Sequence, residues 1–285
     1  MHSVRQAKPQ GATHDREELF MNRALKWINA GAFVAMVAVN GLANLLPIGG
    51  KTTGQVSEAY QNLFTPAPIT FVLWGLIYLM MLLFTVYQFG ILDHGRQSTM
   101  IRERIGILFA MSCAVNILWI FLWHFQWIEL STVSILLLMI VLNVIVKRLK
   151  DMNGGLLQRV SVNTGFSLYY GWIIAASIAN ICVYLTQQGW DGWGISADFW
   201  TIMVMLTGAA IACAVTLIGK DAVAALAVMW AYAGILIRHI SPVYYGGTHP
   251  YIIVAGIVSE ILIMAAILTP MLMTRCRKRT AVAYK

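Results

Sequence analysis

The sequence predicts an all-α polytopic membrane protein with eight transmembrane helices and both termini cytoplasmic. Three observations carry this. Of 285 residues, 59% are hydrophobic and only 11% charged, whereas a soluble domain carries about 25% charged residues. Apolar runs of about 20 residues recur, the length a helix needs to cross a bilayer core. The basic residues alternate between successive connections as the positive-inside rule requires.

The runs place spans at 24–47, 69–91, 104–127, 130–146, 161–186, 199–218, 222–239 and 250–273. The fourth is short and continues toward Lys147. Brief connections favour antiparallel neighbours. With the N-terminus inside, the inner segments hold Arg5, Lys8, Arg16, Arg23 and Lys26, then Arg96, Arg102 and Arg104. After these come Lys147, Arg148, Lys150 and Arg159, then Lys220, then Arg275, Arg277, Lys278, Arg279 and Lys285. Of the 20 Lys and Arg, only Lys51 and Arg238 fall outside. Seven or nine spans would spoil the alternation. The longest outer connection, 48–68, is the natural lid candidate. Trp190 and Trp193 in the 187–198 connection suit a headgroup-level anchor.

Composition also narrows the function. The net charge of +8 belongs to the inner loops and does not argue for nucleic acid; the bilayer itself is the first partner. Residues 1–20 lack an apolar signal-peptide core, so residues 1–23 read as a loosely ordered cytoplasmic tail and 275–285 as a basic one. Cys113, Cys182, Cys213 and Cys276 form no C-x-x-C pair, so they suggest neither a zinc site nor a disulfide framework. The sequence contains no nucleophile with its base, no phosphate loop and no paired carboxylates, and no inverted repeat.

The stretch around which the chain is organised is YQNLFTPAPITFVLWGLIY, residues 60–78. Pro68 suits the first turn of a helix, where its missing N–H costs little. The helix then carries Phe71, Trp74 and Tyr78 on one face, beneath a loop stiffened by Pro66. The third span sets Asn116, Trp119, Trp123 and Trp127 at spacings of three, four and four. The fifth sets Tyr169, Trp172, Ala176 and Asn180 at the same spacings. An amide facing lipid is costly, so Asn116 and Asn180 should face the interior and bring their aromatic faces with them. Two uses are open: the amides tie helices together and the rings pack, or both address a ligand.

In order and spacing these elements resemble the tryptophan-rich sensory protein / translocator protein family (TspO/MBR). Tyr60, Leu63 and Pro66 match its entry to the second helix, with Thr65 in place of the family's lysine. Pro68, Phe71, Trp74 and Tyr78 match that helix. Asn116, Trp119 and the following His124 match the third, and Tyr169, Trp172, Ala176 and Asn180 match the fifth. No Lys or Arg follows Tyr184 as the family's cholesterol-recognition pattern would require. The resemblance covers the five-helix core, residues 24–187, and leaves 188–274 as a three-helix membrane extension. It implies a membrane-embedded binding protein, more sensor, modulator or carrier than enzyme. It would take porphyrin, haem or another flat hydrophobic molecule as ligand, with no required cofactor, in the cell membrane. By position the pocket residues are Tyr60, Pro66, Pro68, Phe71, Trp74, Tyr78, Asn116, Trp119, Trp123, Trp172 and Asn180.

The extension adds Glu260, the one acidic residue deep in a span and therefore a functional candidate. It lies about 15 Å below Pro250 at 1.5 Å per residue. By residue type its partners are Arg238 and His239; protonated, it would bond a hydroxyl such as that of Thr207 or Thr216. If it couples protons, the alternative function is a proton-coupled secondary transporter of a small molecule. His124 reads as a polar tip reaching the headgroups, with haem ligation as its sharper alternative. Gly208, Ala209 and Ala212 permit close helix contact within the chain or in a homodimer.

Overall fold

The computed structural model describes residues 10–46, 48–91, 96–152 and 154–283. Helix α1 (Gln10–Leu45) is followed by a 3-10 turn, Ile48–Gly50, and the short α2 (Thr53–Ala59). A second 3-10 turn, Pro68–Val72, leads into α3 (Leu73–Tyr87). Then come α4 (Arg96–Ile105), α5 (Leu108–His124) and α6 (Ile128–Lys150). The short α7 (Leu156–Gln158) passes through a π turn, Arg159–Asn163, into α8 (Thr164–Gln187). Helices α9 (Ala197–Leu217), α10 (Ala222–Ile240) and α11 (Pro250–Ala283) complete the chain. There is no strand among the described residues. Arg5, Lys8 and Lys285 of the charge reading lie outside these residues, as do the side chains of Arg16, Arg96 and the basic run 275–279.

Among the described residues seven helices are long and apolar enough to span a membrane, and the bent pair α4 and α5, meeting at 55°, makes an eighth when it crosses as one span. The chain is a multi-pass integral membrane protein. The bend corrects the expected continuous third span. Gly106 adopts φ +50°, a left-handed conformation glycine reaches readily, so α5 starts only at Leu108. Its far end is also earlier than expected. Gln126 turns at φ +59°, and Trp127 caps α6 instead of extending the α5 face; it is 61% exposed. At the N-terminus α1 already runs from Gln10, so the segment expected to be loosely ordered is helical from there.

Helices α1, α5, α6, α8 and α3 touch in that order and α3 returns to α1, closing a five-membered ring. Helices α9, α10 and α11 pack on one another, and α10 lies along α8. The last turns of α4 and α6 carry Arg102, Arg104, Lys147, Arg148 and Lys150, where helix dipoles favour cations. Arg148 donates to the Arg104 carbonyl at 3.0 Å, so this is one basic end of the bundle. The 48–72 connection caps the opposite end.

Candidate functional site

The predicted aromatic faces meet inside the ring. Tyr78, Trp74, Trp119 and Trp123 form a continuous stack, with successive centroids 5.6, 5.9 and 6.0 Å apart and planes within 27°. Trp172 closes on it edge-on, 6.0 Å from Trp74 and 6.2 Å from Phe71. Such offset and edge contacts suit ring quadrupoles. Two of the indole N–H groups are used internally: Trp119 donates to Asn180 Oδ1 at 3.0 Å and Trp123 to the Thr53 carbonyl at 3.1 Å. The Trp172 N–H has no partner among the described residues, although the side chain is only 3% exposed.

Beside the ladder is a narrow cavity of about 60 Å3. Of the sequence candidates, Pro66, Phe71, Trp74, Trp119, Trp123, Trp172 and Asn180 line it. Tyr60, Pro68, Tyr78 and Asn116 do not. Tyr60 donates to Gln126 Oε1 at 2.9 Å. Pro68 starts the 3-10 turn before α3, as its missing N–H suits. Tyr78 is the inner rung of the stack. The wall also includes residues that sequence reasoning missed: Thr53, Ser57, Asn62, Phe64 and Thr65 from the connection, and Ala231 and Ile235 from α10.

Both asparagines face inward as expected, and both tie helices together. Asn116 accepts from the Asn40 amide at 2.8 Å and donates to the Tyr169 hydroxyl at 2.8 Å, linking α1, α5 and α8. Asn180 accepts from Trp119 and from Ser131 and donates to Thr132 at 2.8 Å. An interhelical bond in a membrane contributes about 1 kcal/mol. Asn116→Leu removes two bonds and strips the Tyr169 hydroxyl of its donor, while the Asn40 amide keeps its bond to the Met36 carbonyl, so it should cost about 1–2 kcal/mol in a detergent melt. A melt unchanged from the parent would show that these bonds carry no net stability.

The 48–72 connection is held from two sides. On one, His124 Nδ1 donates to the Ile48 carbonyl at 3.0 Å and Nε2 lies 3.1 Å from the Thr53 hydroxyl. His124 is buried. It therefore pins the connection to α5, in place of the headgroup contact expected of it, and both ring nitrogens are engaged. On the other side α10 forms a clasp. Arg238 pairs with Glu58, His239 donates to the Leu63 carbonyl at 2.8 Å, Ala67 N–H donates to the Gly234 carbonyl at 3.0 Å and Trp230 to the Thr70 carbonyl at 2.9 Å.

This clasp corrects the partners expected for Glu260. Arg238 and His239 are committed to the connection, and Thr207 and Thr216 bond the carbonyls of Met203 and Ala212 in their own helix. Glu260 sits on α11, its Oε1 buried without a hydrogen-bond partner among the described residues, and it lines neither this cavity nor the wider one described below.

No curated protein and no solved structure matches the chain. The model of the TSPO-like protein family matches residues 26–269. That match runs past the five-helix ring through α9, α10 and nearly all the apolar part of α11, so the clasping helices fall within the matched unit. Five ring helices around an aromatic ladder, and a match over most of the length, lead to one conclusion: the chain belongs to the family of TSPO-like proteins.

Proposed function

We propose that the protein binds a flat hydrophobic ligand, a tetrapyrrole such as protoporphyrin IX or haem, within the aromatic ladder, and acts as a sensor, modulator or carrier. The observation that carries this is the Trp172 N–H, unpartnered among the described residues, on the wall of a cavity that Phe64, Phe71, Trp74, Trp119 and Trp123 also line. Buried donors are nearly always satisfied, and an acceptor on a bound ligand would satisfy this one. The cavity, about 60 Å3, is far below the roughly 300–1,000 Å3 of ordinary ligand sites. A macrocycle therefore enters by parting the ladder, with an indole–indole contact exchanged for an indole–macrocycle contact of similar energy. Binding is expected to be slower than diffusion allows, because closure must be undone first.

In this reading both termini are cytoplasmic, the clasped connection faces outward, and the protein resides in the cell membrane; Gly208, Ala209 and Ala212 of α9 are buried within the chain and serve close contact there, not self-association. The position of Glu260 away from both cavities favours binding over proton-coupled transport. The test is titration of purified protein with protoporphyrin IX and haem, following tryptophan quenching. Saturable binding is expected, with Trp172→Phe weaker by about fivefold, the loss of one hydrogen bond of about 1 kcal/mol. The double variant Trp119→Phe/Trp172→Phe should be weaker still. Absence of saturable quenching, or affinity indifferent to these substitutions, would refute the reading.

A further inference from the structure

A second and wider cavity, about 600 Å3, opens at the same end of the bundle between α8, α9 and the 48–72 connection. Its ring-bearing walls are Trp190, Trp200, Phe64 and Tyr245. Trp190 and Trp200 stand 5.1 Å apart at 57°, held as a corner because Trp200 Nε1 donates to the Gly192 carbonyl at 2.9 Å. Asn62 and the buried Phe64 line both this vestibule and the ladder cavity.

The charge on its wall is one-sided. Among the described residues Asp191 is the sole carboxylate lining it, and no Lys, Arg or His does. The nearby Arg238 is neutralised by Glu58, and His249, edge-on to Tyr245, is bonded to Asp198. An anion would find no counter-charge here. A cation would find aromatic faces, which attract positive charge, and a carboxylate. We propose that the vestibule is a binding site for an organic cation with an apolar body, an onium or alkylated ammonium ion. The site is separate from the ladder and needs no occupant there. A free organic cation and the choline head of a lipid share this chemistry.

Tetraphenylphosphonium and tetraphenylborate test it, being alike in size and apolarity and opposite in charge. Binding of each to purified protein in a neutral detergent is measured with ion-selective electrodes. The phosphonium should bind saturably and the borate at least tenfold more weakly. Asp191→Asn should weaken the phosphonium about fivefold or more. Asp191 Oδ1 accepts from Trp193 N–H at 2.9 Å, a bond an asparagine oxygen can replace, so the loop survives that change. Trp190→Leu should weaken binding and Trp190→Tyr restore it, while Trp119→Phe should leave it unchanged. Displacement by a short-chain phosphocholine but not the matching phosphoglycerol would make the lipid head the source; displacement by neither would favour the free cation. Equal binding of borate and phosphonium, or indifference to Asp191→Asn and Trp190→Leu, would overturn the proposal. Sensitivity to Trp119→Phe alone would move the cation to the ladder and overturn it too. Porphyrin binding enters none of these readouts, so the two sites succeed or fail separately.

Discussion

Gly171→Ala is expected to be among the most damaging single-methyl changes in the chain. A Cβ at this position would lie 2.0 Å from the Ala224 carbonyl oxygen and 2.6 Å from its carbonyl carbon and Cα. Those are backbone atoms of the first turn of α10 and cannot rotate aside, so α10 as a whole must withdraw from α8. Overpacking a core usually costs about 1–3 kcal/mol, and a clash of backbone against Cβ belongs at the top of that range or above it. The shift would also be felt at the far end of the helix. A Cβ at Gly234 would meet Thr70 Oγ1 at 1.9 Å, so α10 rides directly on the turn before α3 and has no slack there. Gly75→Ala is the control. It lies on an exposed face of α3 with nothing within 4 Å, and alanine there should be neutral or stabilising by up to about 1 kcal/mol. Melting followed by monodispersity in detergent separates the two. A Gly171→Ala protein that melts with the parent would mean that α8 and α10 are not in backbone contact.

That contact marks the boundary of what could be read from the sequence. Span number was legible, because each span is a long apolar run and the basic residues punctuate the runs. The inward aim of Asn116 and Asn180 was legible too, because an amide cannot face lipid cheaply. The rings at helical spacing then came inward with them, and Trp74, Trp119, Trp123 and Trp172 do line one cavity. Periodicity failed where the backbone leaves the helix. Neither Gly106 nor Gln126 interrupts the apolar pattern strongly, yet each adopts a positive φ, shortening α5 and sending Trp127 elsewhere. It also failed for contacts between distant segments. Phe64 and Thr65 lie in a connection with no period to read, and Ala231 and Ile235 are ordinary helix residues until α10 is seen beside the ladder. Arg238 carried a signal that was available: it is one of two basic residues on the wrong side of the charge rule, and the long connection facing it holds one carboxylate, Glu58. Matching it by type to Glu260 sets it against a group about 15 Å down α11, whereas Glu58 lies in the connection that Arg238 faces.

Loss of Glu58 should release the connection more sharply than loss of the arginine it holds. Arg238 is wholly buried, whereas the Glu58 side chain is 40% exposed, and the guanidinium is covered on another side by the Tyr244 ring at 4.9 Å. Removing one member of a fully buried pair costs about 3–5 kcal/mol, because the survivor is left charged without compensation. Here water reaches the carboxylate side, so Glu58→Ala should cost about 2 kcal/mol, between that figure and the small value of exposed pairs. Arg238→Met leaves a glutamate that can turn to solvent and should cost less. The double variant Glu58→Ala/Arg238→Met should recover much of the single Glu58 loss, since no bare guanidinium remains. Melting temperature reads the stability order, and tryptic cleavage at Lys51 reads the connection directly, faster in Glu58→Ala than in the double variant. If Glu58→Ala melts and cleaves as the parent does, the ion pair contributes nothing, and the bonds of His239 to the Leu63 carbonyl and of Ala67 to the Gly234 carbonyl hold the connection over the ladder.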